Sequence, residues 1–494
     1  MSRSASLAGL LLAALLLATT VRADDASTAP KFRKKKKKKA AATAEKRPDP
    51  RDEEIRLLKQ QIEGLTGSQQ ALLNRLQDIE TRVTNDSKQE NADIQVVKAV
   101  VDKQVDEQKK AVAAAETKWG PTGKPQIKPY GFLRMDYHRD SSRLNDVTNP
   151  FFVQPSPAKT VNQDSPEGEI TPRLSRVGLD VSGGEATWLA GHPKVGGKLE
   201  TDFVNGGTDS REAIRIRHAY ASLDWKELSV MAGQYWDLIA PLNPSVNPFT
   251  LLWNAGDLGD RRPQFRVTYE PDRDKTTVRH GQWSFGLAAL ETGAVDSKDL
   301  DGNGQQDGVA SARPMVQGRV AWTAPKPADP KSDPFSIGFW FMDARERLVT
   351  PLAGQLTFHP ECFGMDLVIP IAKRLALRGE AFNGKDLSDV RGGINQGVSV
   401  NGKEVGSHGG WAELTLNPRG RYWGALGISD DHPRVQDLAG ANDRKDNRVF
   451  YQTNHFRVGG GLELWLDFSD WRTEYTDNIT RSSTRVEAAV QQNF

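Results

Sequence analysis

The chain has 494 residues, with 66 Lys and Arg against 64 Asp and Glu, a hydrophobic fraction of 37% and a mean hydropathy of −0.58. Both excess positive charges, Arg3 and Arg22, lie in the first 23 residues, so the rest is near neutral and gives no electrostatic argument for nucleic acid as a partner. The single cysteine, Cys362, excludes an internal disulfide framework and a Cys-rich zinc site.

Residues 1–23 read as an export signal. A basic start at Arg3 precedes an apolar run from Leu7 to Ala18, and Val21-Arg22-Ala23 offers a small-residue cleavage site. The run is too short for a spanning helix, which needs about 20 residues. No later stretch is long and apolar, so residence in a membrane requires a β-barrel. Residues 24–51 form a basic linker, with eight basic residues among the nine of Lys31–Lys39. This block is either a solvated, self-repelling tail or a contact for an anionic surface such as a membrane leaflet or cell-wall polymer.

Residues 52–117 carry heptads. Ile55, Ile62, Gln69, Leu76 and Val83 fall in one register, and Leu58, Leu65, Leu72 and Ile79 in the other. That is a coiled-coil stripe with one polar a residue, Gln69. Ile94, Val97, Val101, Val105 and Val112 continue an apolar stripe. An amphipathic helix packed on a core is the competing reading, but the polar outer face favours self-association.

From about Tyr130 to Phe494 the period changes to two. About sixteen segments of about ten residues match the spacing of a transmembrane barrel of antiparallel strands. Leu133, Met135 and Tyr137 share one face of a strand while Arg134 and Asp136 share the other. The stretch Phe456–Phe468 and the last strand, Thr484–Phe494, alternate similarly. Short turns are expected at Asp224–Lys226, Asn417–Arg421 and Ser469–Asp470. Long loops are expected at His138–Thr171, Asp237–Arg261, Glu291–Ala312, Lys385–Gly409 and Ser429–Asp446. Tyr269, Trp283, Trp322, Trp471 and Phe494 would form an interfacial girdle at the turn end.

The layout resembles that of the DcaP-like trimeric porins. The matching stretches are Leu174–Val181 (LSRVGLDV), Lys198–Phe203 (KLETDF), Ile214–Tyr220 (IRIRHAY) and Ala232–Trp236 (AGQYW). The resemblance implies a periplasmic coiled coil ahead of a 16-stranded outer-membrane barrel, a homotrimer, passive passage of small and often anionic solutes, and a loop after AGQYW that folds into the pore. That loop is Trp236–Asp260 here. The Lys31–Lys39 tract is outside the family pattern.

With the apolar face turned to lipid, Arg134, Arg176, Lys198, Arg215, Arg217, Arg266, Arg319 and Arg378 face the lumen. So do Asp136, Asp180, Glu200, Asp202, Asp366, Glu380, Glu413, Glu463, Asp467 and Glu487. Bases concentrate in the first half and acids in the second, and Arg215 with Arg217 just before the constriction loop are the most pointed pair. Arginine ladders favour carboxylates and phosphates, whereas pairing of each arginine with a lumenal acid would only stabilise the wall.

In one loop Asp299, Asp301, Asn303 and Asp307 occupy positions 1, 3, 5 and 9 of a calcium-loop spacing with Gly304 at position 6. Ala310 replaces the usual acid at position 12 and no flanking helix is expected. The loop is either an Asx-rich surface turn or a weak structural calcium site. No HExxH, GxSxG, P-loop or dinucleotide fingerprint appears, so an enzyme is not expected. The expectation is therefore an outer-membrane porin without cofactors. The alternative is a closed barrel that tethers the membrane to the cell wall, which deletion of Ala26–Lys118 would separate from the porin by envelope detachment with permeation intact.

Overall fold

The computed structural model describes residues 125–494 except 156–164, 206, 209–210, 272–280, 326 and 328–331, together with Lys103. The export signal, the Lys31–Lys39 tract and the heptad region lie outside the described residues apart from that one lysine. The barrel begins at Gln126, a few residues before the alternation becomes evident at Tyr130.

Sixteen antiparallel strands form a closed barrel. The first half comprises β1 (Gln126–Asp140), β2 in two segments (Glu167–Thr171 and Arg176–Glu185), β3 (Lys194–Asp202), β4 (Arg215–Asp224), β5 (Leu228–Trp236), β6 (Arg261–Tyr269), β7 (Gln282–Leu290) and β8 (Met315–Thr323). The second half comprises β9 (Ser336–Asp343), β10 (Glu361–Ala372), β11 (Leu375–Lys385), β12 (Gly406–Leu416), β13 (Tyr422–Pro433), β14 (Arg444–Gly459), β15 (Leu462–Tyr475) and β16 (Thr480–Asn493). Each strand pairs with its sequence neighbour, and β1 pairs with β16 from Phe132↔Asn493 to Asp140↔Arg485. Closure leaves no sheet edge to satisfy, which is what a strand in lipid requires.

The period-two pattern places polar side chains inside and apolar ones outside. On β1, Leu133 and Met135 are exposed while Arg134, Asp136, His138 and Asp140 are buried. Phe265, Leu287, Phe339, Phe363, Ile428, Phe450 and Val490 continue the exposed apolar exterior. Side chains of this kind facing water around a whole barrel would be unfavourable; facing lipid they are at home. At the turn end Trp283 stacks on Phe285, which stacks on Tyr269, and Trp322 packs on Phe335. Phe494 is also exposed there.

Three expectations need correction. Phe456–Phe468 is not one strand. It crosses the β14–β15 turn at Gly459-Gly460-Gly461, whose φ values of +127°, +61° and +84° suit glycine. The turn preserves the parity of the alternation, which hid it. Ser469–Asp470 then lies inside β15. Trp471 consequently belongs to the inner face near the loop end, fully buried with its indole N–H donating to Ser469 Oγ at 3.0 Å.

The connections at the loop end are L1 (141–166), L2 (203–214), L3 (237–260), L4 (291–314), L5 (344–360), L6 (386–405), L7 (434–443) and L8 (476–479). L5 contains a hairpin, Glu346–Leu352 paired with Gln355–Phe358, that was not expected. L8 is short, so loop length alone does not distinguish the two ends.

Candidate functional site

L3 starts at Asp237 and runs into the barrel. Leu238 and Ile239 pack into a buried cluster with Ala288, Leu290, Met315, Trp340, Cys362 and Phe382 on the inner wall of β7–β11. The Leu238 N–H donates to Gln317 Oε1 at 2.7 Å. Further on, L3 is held by lumenal carboxylates. The Leu242 N–H reaches Glu380 Oε1 at 2.7 Å. Ser245 donates its N–H and its hydroxyl to the two Glu413 oxygens at 2.9 and 2.7 Å. Asn247 Nδ2 reaches Asp136 Oδ1 at 2.9 Å, and Thr250 Oγ1 reaches Glu487 Oε2 at 2.7 Å. The last part packs Val246, Leu252 and Ala255 against Leu144 and Val153 of L1 and against Val449, Tyr451 and Trp471. Gly256, at φ +117°, comes so close to the wall that a Cβ there would lie 2.3 Å from the Gly410 carbonyl oxygen.

The two ends of L3 are clasped to each other and to L6. Arg262, fully buried, donates to Asp237 Oδ1 and Oδ2 at 2.8 and 3.1 Å and to Asp389 Oδ2 at 2.7 Å. Arg391 holds Asp260 Oδ2 at 2.7–2.9 Å. These clasp residues were not singled out in the sequence; the only signal was the Arg261-Arg262 pair directly after the predicted constriction loop.

L3 thus engages Asp136 of β1 and Glu380, Glu413 and Glu487 of the second half of the barrel. Asp136, Asp366, Glu380, Glu413, Asp467 and Glu487 are all buried. Apart from Glu463, which is 19% exposed beside Arg457, the predicted acidic wall is therefore covered by loop and wall groups. Among the described residues no hydrogen bond or ion pair joins L3 to β2, β3 or β4, and that arc carries half of the predicted bases, Arg176, Lys198, Arg215 and Arg217.

Four lumenal ion pairs, two on this arc and two beyond it, share an asymmetry. Arg215 holds Asp202 through two bonds of 2.9 and 2.7 Å, with the arginine side chain 25% exposed and the aspartate 0%. Arg176 sits 3.5 Å from Glu200, at 19% against 6%. Arg319 pairs bidentately with Asp366, at 20% against 1%, and Arg378 with Glu413, at 23% against 0%. Lys198–Asp180 is the exception, with the carboxylate the more exposed partner. A buried anion beneath a half-exposed cation presents positive charge to the lumen even where the pair is neutral.

Two predicted bases play other parts. Arg134 is fully buried, bonded to Asp136 and Gln491 and stacked 4.3 Å from the Trp465 ring, so it supports the wall and does not meet the lumen. Arg217 is nearly buried between Glu200 and Asp202; a bulge in β4 places both it and His218 on the inner side. Arg215 and Arg217 therefore do face inward from one strand, as expected, but both are matched by carboxylates.

Arg266 differs from the rest. Its guanidinium donates to Gln264 Oε1 at 2.9 Å and to the Trp236 carbonyl, lies 5.3 Å from the Tyr235 ring, and makes no ion pair among the described residues. It borders a recess of about 270 Å³ between L3 and the wall that also takes in Arg319, Asn243, Thr268 and Ser284. Around β2–β8 six of the predicted bases, Arg176, Lys198, Arg215, Arg217, Arg266 and Arg319, meet four carboxylate partners, Asp180, Glu200, Asp202 and Asp366.

In L4, Asp299, Asp301 and Asp307 come together with carboxylate oxygens within 4.8 Å of one another. A one-turn helix, Asp307–Ala310, starts at the ninth position of the motif, where none was expected.

No family model matches the sequence, and no curated protein does. Solved structures do match. The outer membrane channel DcaP of Acinetobacter baumannii aligns with a TM-score of 0.59 at 17% identity, covering 75% of this chain and 97% of that one. An anion-selective porin from Comamonas acidovorans aligns with a TM-score of 0.46 at 13% identity, over 75% of this chain and 100% of the other. The chain has the sixteen-stranded closed-barrel fold of the outer-membrane channel DcaP.

Proposed function

We propose that the protein is an outer-membrane diffusion porin, passing small hydrophilic solutes with a preference for anions. The observation that carries this reading is the burial asymmetry: Glu200, Asp202, Asp366 and Glu413 are covered, while the Arg176, Arg215, Arg319 and Arg378 that pair with them, and the unpaired Arg266, are part-exposed. In a narrow passage between low-dielectric walls, a fixed charge acts more strongly on a passing ion than in a wide vestibule, where screening falls within about 8 Å. Arginine forks also suit carboxylate and phosphate geometry. With both barrel termini at one end, that end is periplasmic and the long loops lie outside. The heptads between Ile55 and Val83 support a homotrimer.

Planar-bilayer recording of the purified full chain tests the channel, and discrete conductance steps are expected. A protein that inserts without conducting is a closed barrel, as the tether alternative requires. Light scattering in mild detergent, or crosslinking through a cysteine placed at Leu72, tests the trimer; a monomer contradicts it.

A further inference from the structure

L4 assembles a group of oxygen ligands that the lumen does not use. Asp299 accepts the N–H groups of Asn303 and Gly304 at 3.0 and 2.9 Å, so the chain wraps back over its own carboxylate. Gly302 and Gly304, at φ +67° and +83°, permit that wrap. Asp301 Oδ2 accepts the N–H groups of Val349 and Thr350 in the L5 hairpin at 2.6 and 2.8 Å. Asp307 completes the trio.

Three acids on a loop are ordinary; two further facts are not. Among the described residues none of the three pairs with a Lys, Arg or His. The adjacent cation, Lys298, is fully committed to Asp386, Glu346 and Asp296 at 2.5, 3.1 and 3.4 Å. Asp307 is only 1% exposed, and although its Oδ2 accepts the Leu300 N–H at 3.0 Å, its Oδ1 is buried with no donor. A buried carboxylate with a donor-less oxygen, one oxygen of which lies within 4.8 Å of those of two further carboxylates and which has no paired counter-charge, is costly unless a cation fills the space.

We propose that L4 binds one calcium ion through Asp299, Asp301 and Asp307, with Asn303 Oδ1 as a further oxygen. Three carboxylates on a glycine-wrapped loop suit the variable six-to-eight-oxygen shell of calcium better than the rigid octahedron of magnesium. Ala310 in place of the bidentate position-12 acid sets the affinity low. Because Asp301 also holds two amides of the L5 hairpin, the ion fastens L4 to L5 at the mouth of the barrel.

The test titrates calcium chloride into the EDTA-treated full chain in detergent by calorimetry. One saturable site per chain is expected, with a Kd on the order of 10⁻⁴–10⁻³ M, the range of weak extracellular modules, and magnesium chloride at least about tenfold weaker. Asp307→Asn is expected to weaken calcium at least about tenfold by this ligand count. Asp299→Asn, whose carboxylate accepts only amides of its own loop, is expected to do the same with single-channel conductance unchanged. Calcium is also expected to slow subtilisin cleavage of the L5 hairpin in wild type alone. No saturable binding in wild type overturns the proposal. So does binding equal in wild type and both variants, which marks an ion held by carried-over lipid.

Discussion

Arg262 is the point at which the constriction loop can be unfastened without touching the barrel ladder. Its side chain is fully buried, and its two carboxylate partners, Asp237 and Asp389, are each 1% exposed. Arg262→Met keeps much of the volume and strands both carboxylates. Breaking a buried pair by removing one partner costs about 3–5 kcal/mol, here concentrated on the junction of L3 with L6. At 1.36 kcal/mol per power of ten, the detached base of L3 becomes roughly two to four powers of ten more populated. The far part of L3 stays held by Glu380, Glu413, Asp136 and Glu487, each a charge-assisted contact of about 1.5–3 kcal/mol. Single-channel recording should therefore show flicker between the wild-type level and a larger one, with the barrel still resistant to detergent. Combining Arg262→Met with Asp237→Asn and Asp389→Asn removes the stranded charges and should quiet the trace, since replacing a whole buried ion set is often near neutral. A steady wild-type trace from Arg262→Met alone would refute the assignment of the clasp.

Gly256→Ala should dislodge the inner turn of L3, because the added Cβ meets backbone at Gly410 and Asp430; faster protease cleavage within 237–260, with the barrel intact, checks this. Docking of the L5 hairpin should weaken at alkaline pH. Glu346, buried beside Asp386, has its pKa raised from 4.5 to about 9. A raised folded pKa contributes stability that is full below the ordinary value and lost as pH rises through the folded one. Subtilisin should therefore cut L5 faster at pH 10 than at pH 7 relative to an unstructured control peptide, and Glu346→Gln should flatten the difference; an L5 that tightens with pH contradicts the reading. Arg391→Ala should loosen Asp260 at the other end of L3, raising conductance noise less than Arg262→Met, because Arg391 is itself 22% exposed.

The barrel was legible because a strand lining water on one side and lipid on the other must alternate residue by residue, as β1 and β16 do. The facing of the eight bases followed from that parity. The turn at Gly459–Gly461 escaped because three residues there preserve the phase of the pattern. The L5 hairpin escaped because its alternation resembles that of the wall. What could not be read was which lumenal charges are covered. The bonds that cover them join residues far apart in the chain, as Thr250 to Glu487 and Ser245 to Glu413 do. No local pattern encodes whether an inward arginine such as Arg134 is sealed beneath Asp136 and Trp465 or, like Arg266, has no acid beside it.

The reversal potential in a tenfold potassium chloride gradient is the most direct test of a lumen that presents cations to water. Full anion selectivity would approach about 59 mV. Wild type should reverse with the sign of chloride permeation, and Arg266→Gln should move the value toward zero with little change in conductance. A wild-type reversal potential with the sign of potassium permeation would contradict the account.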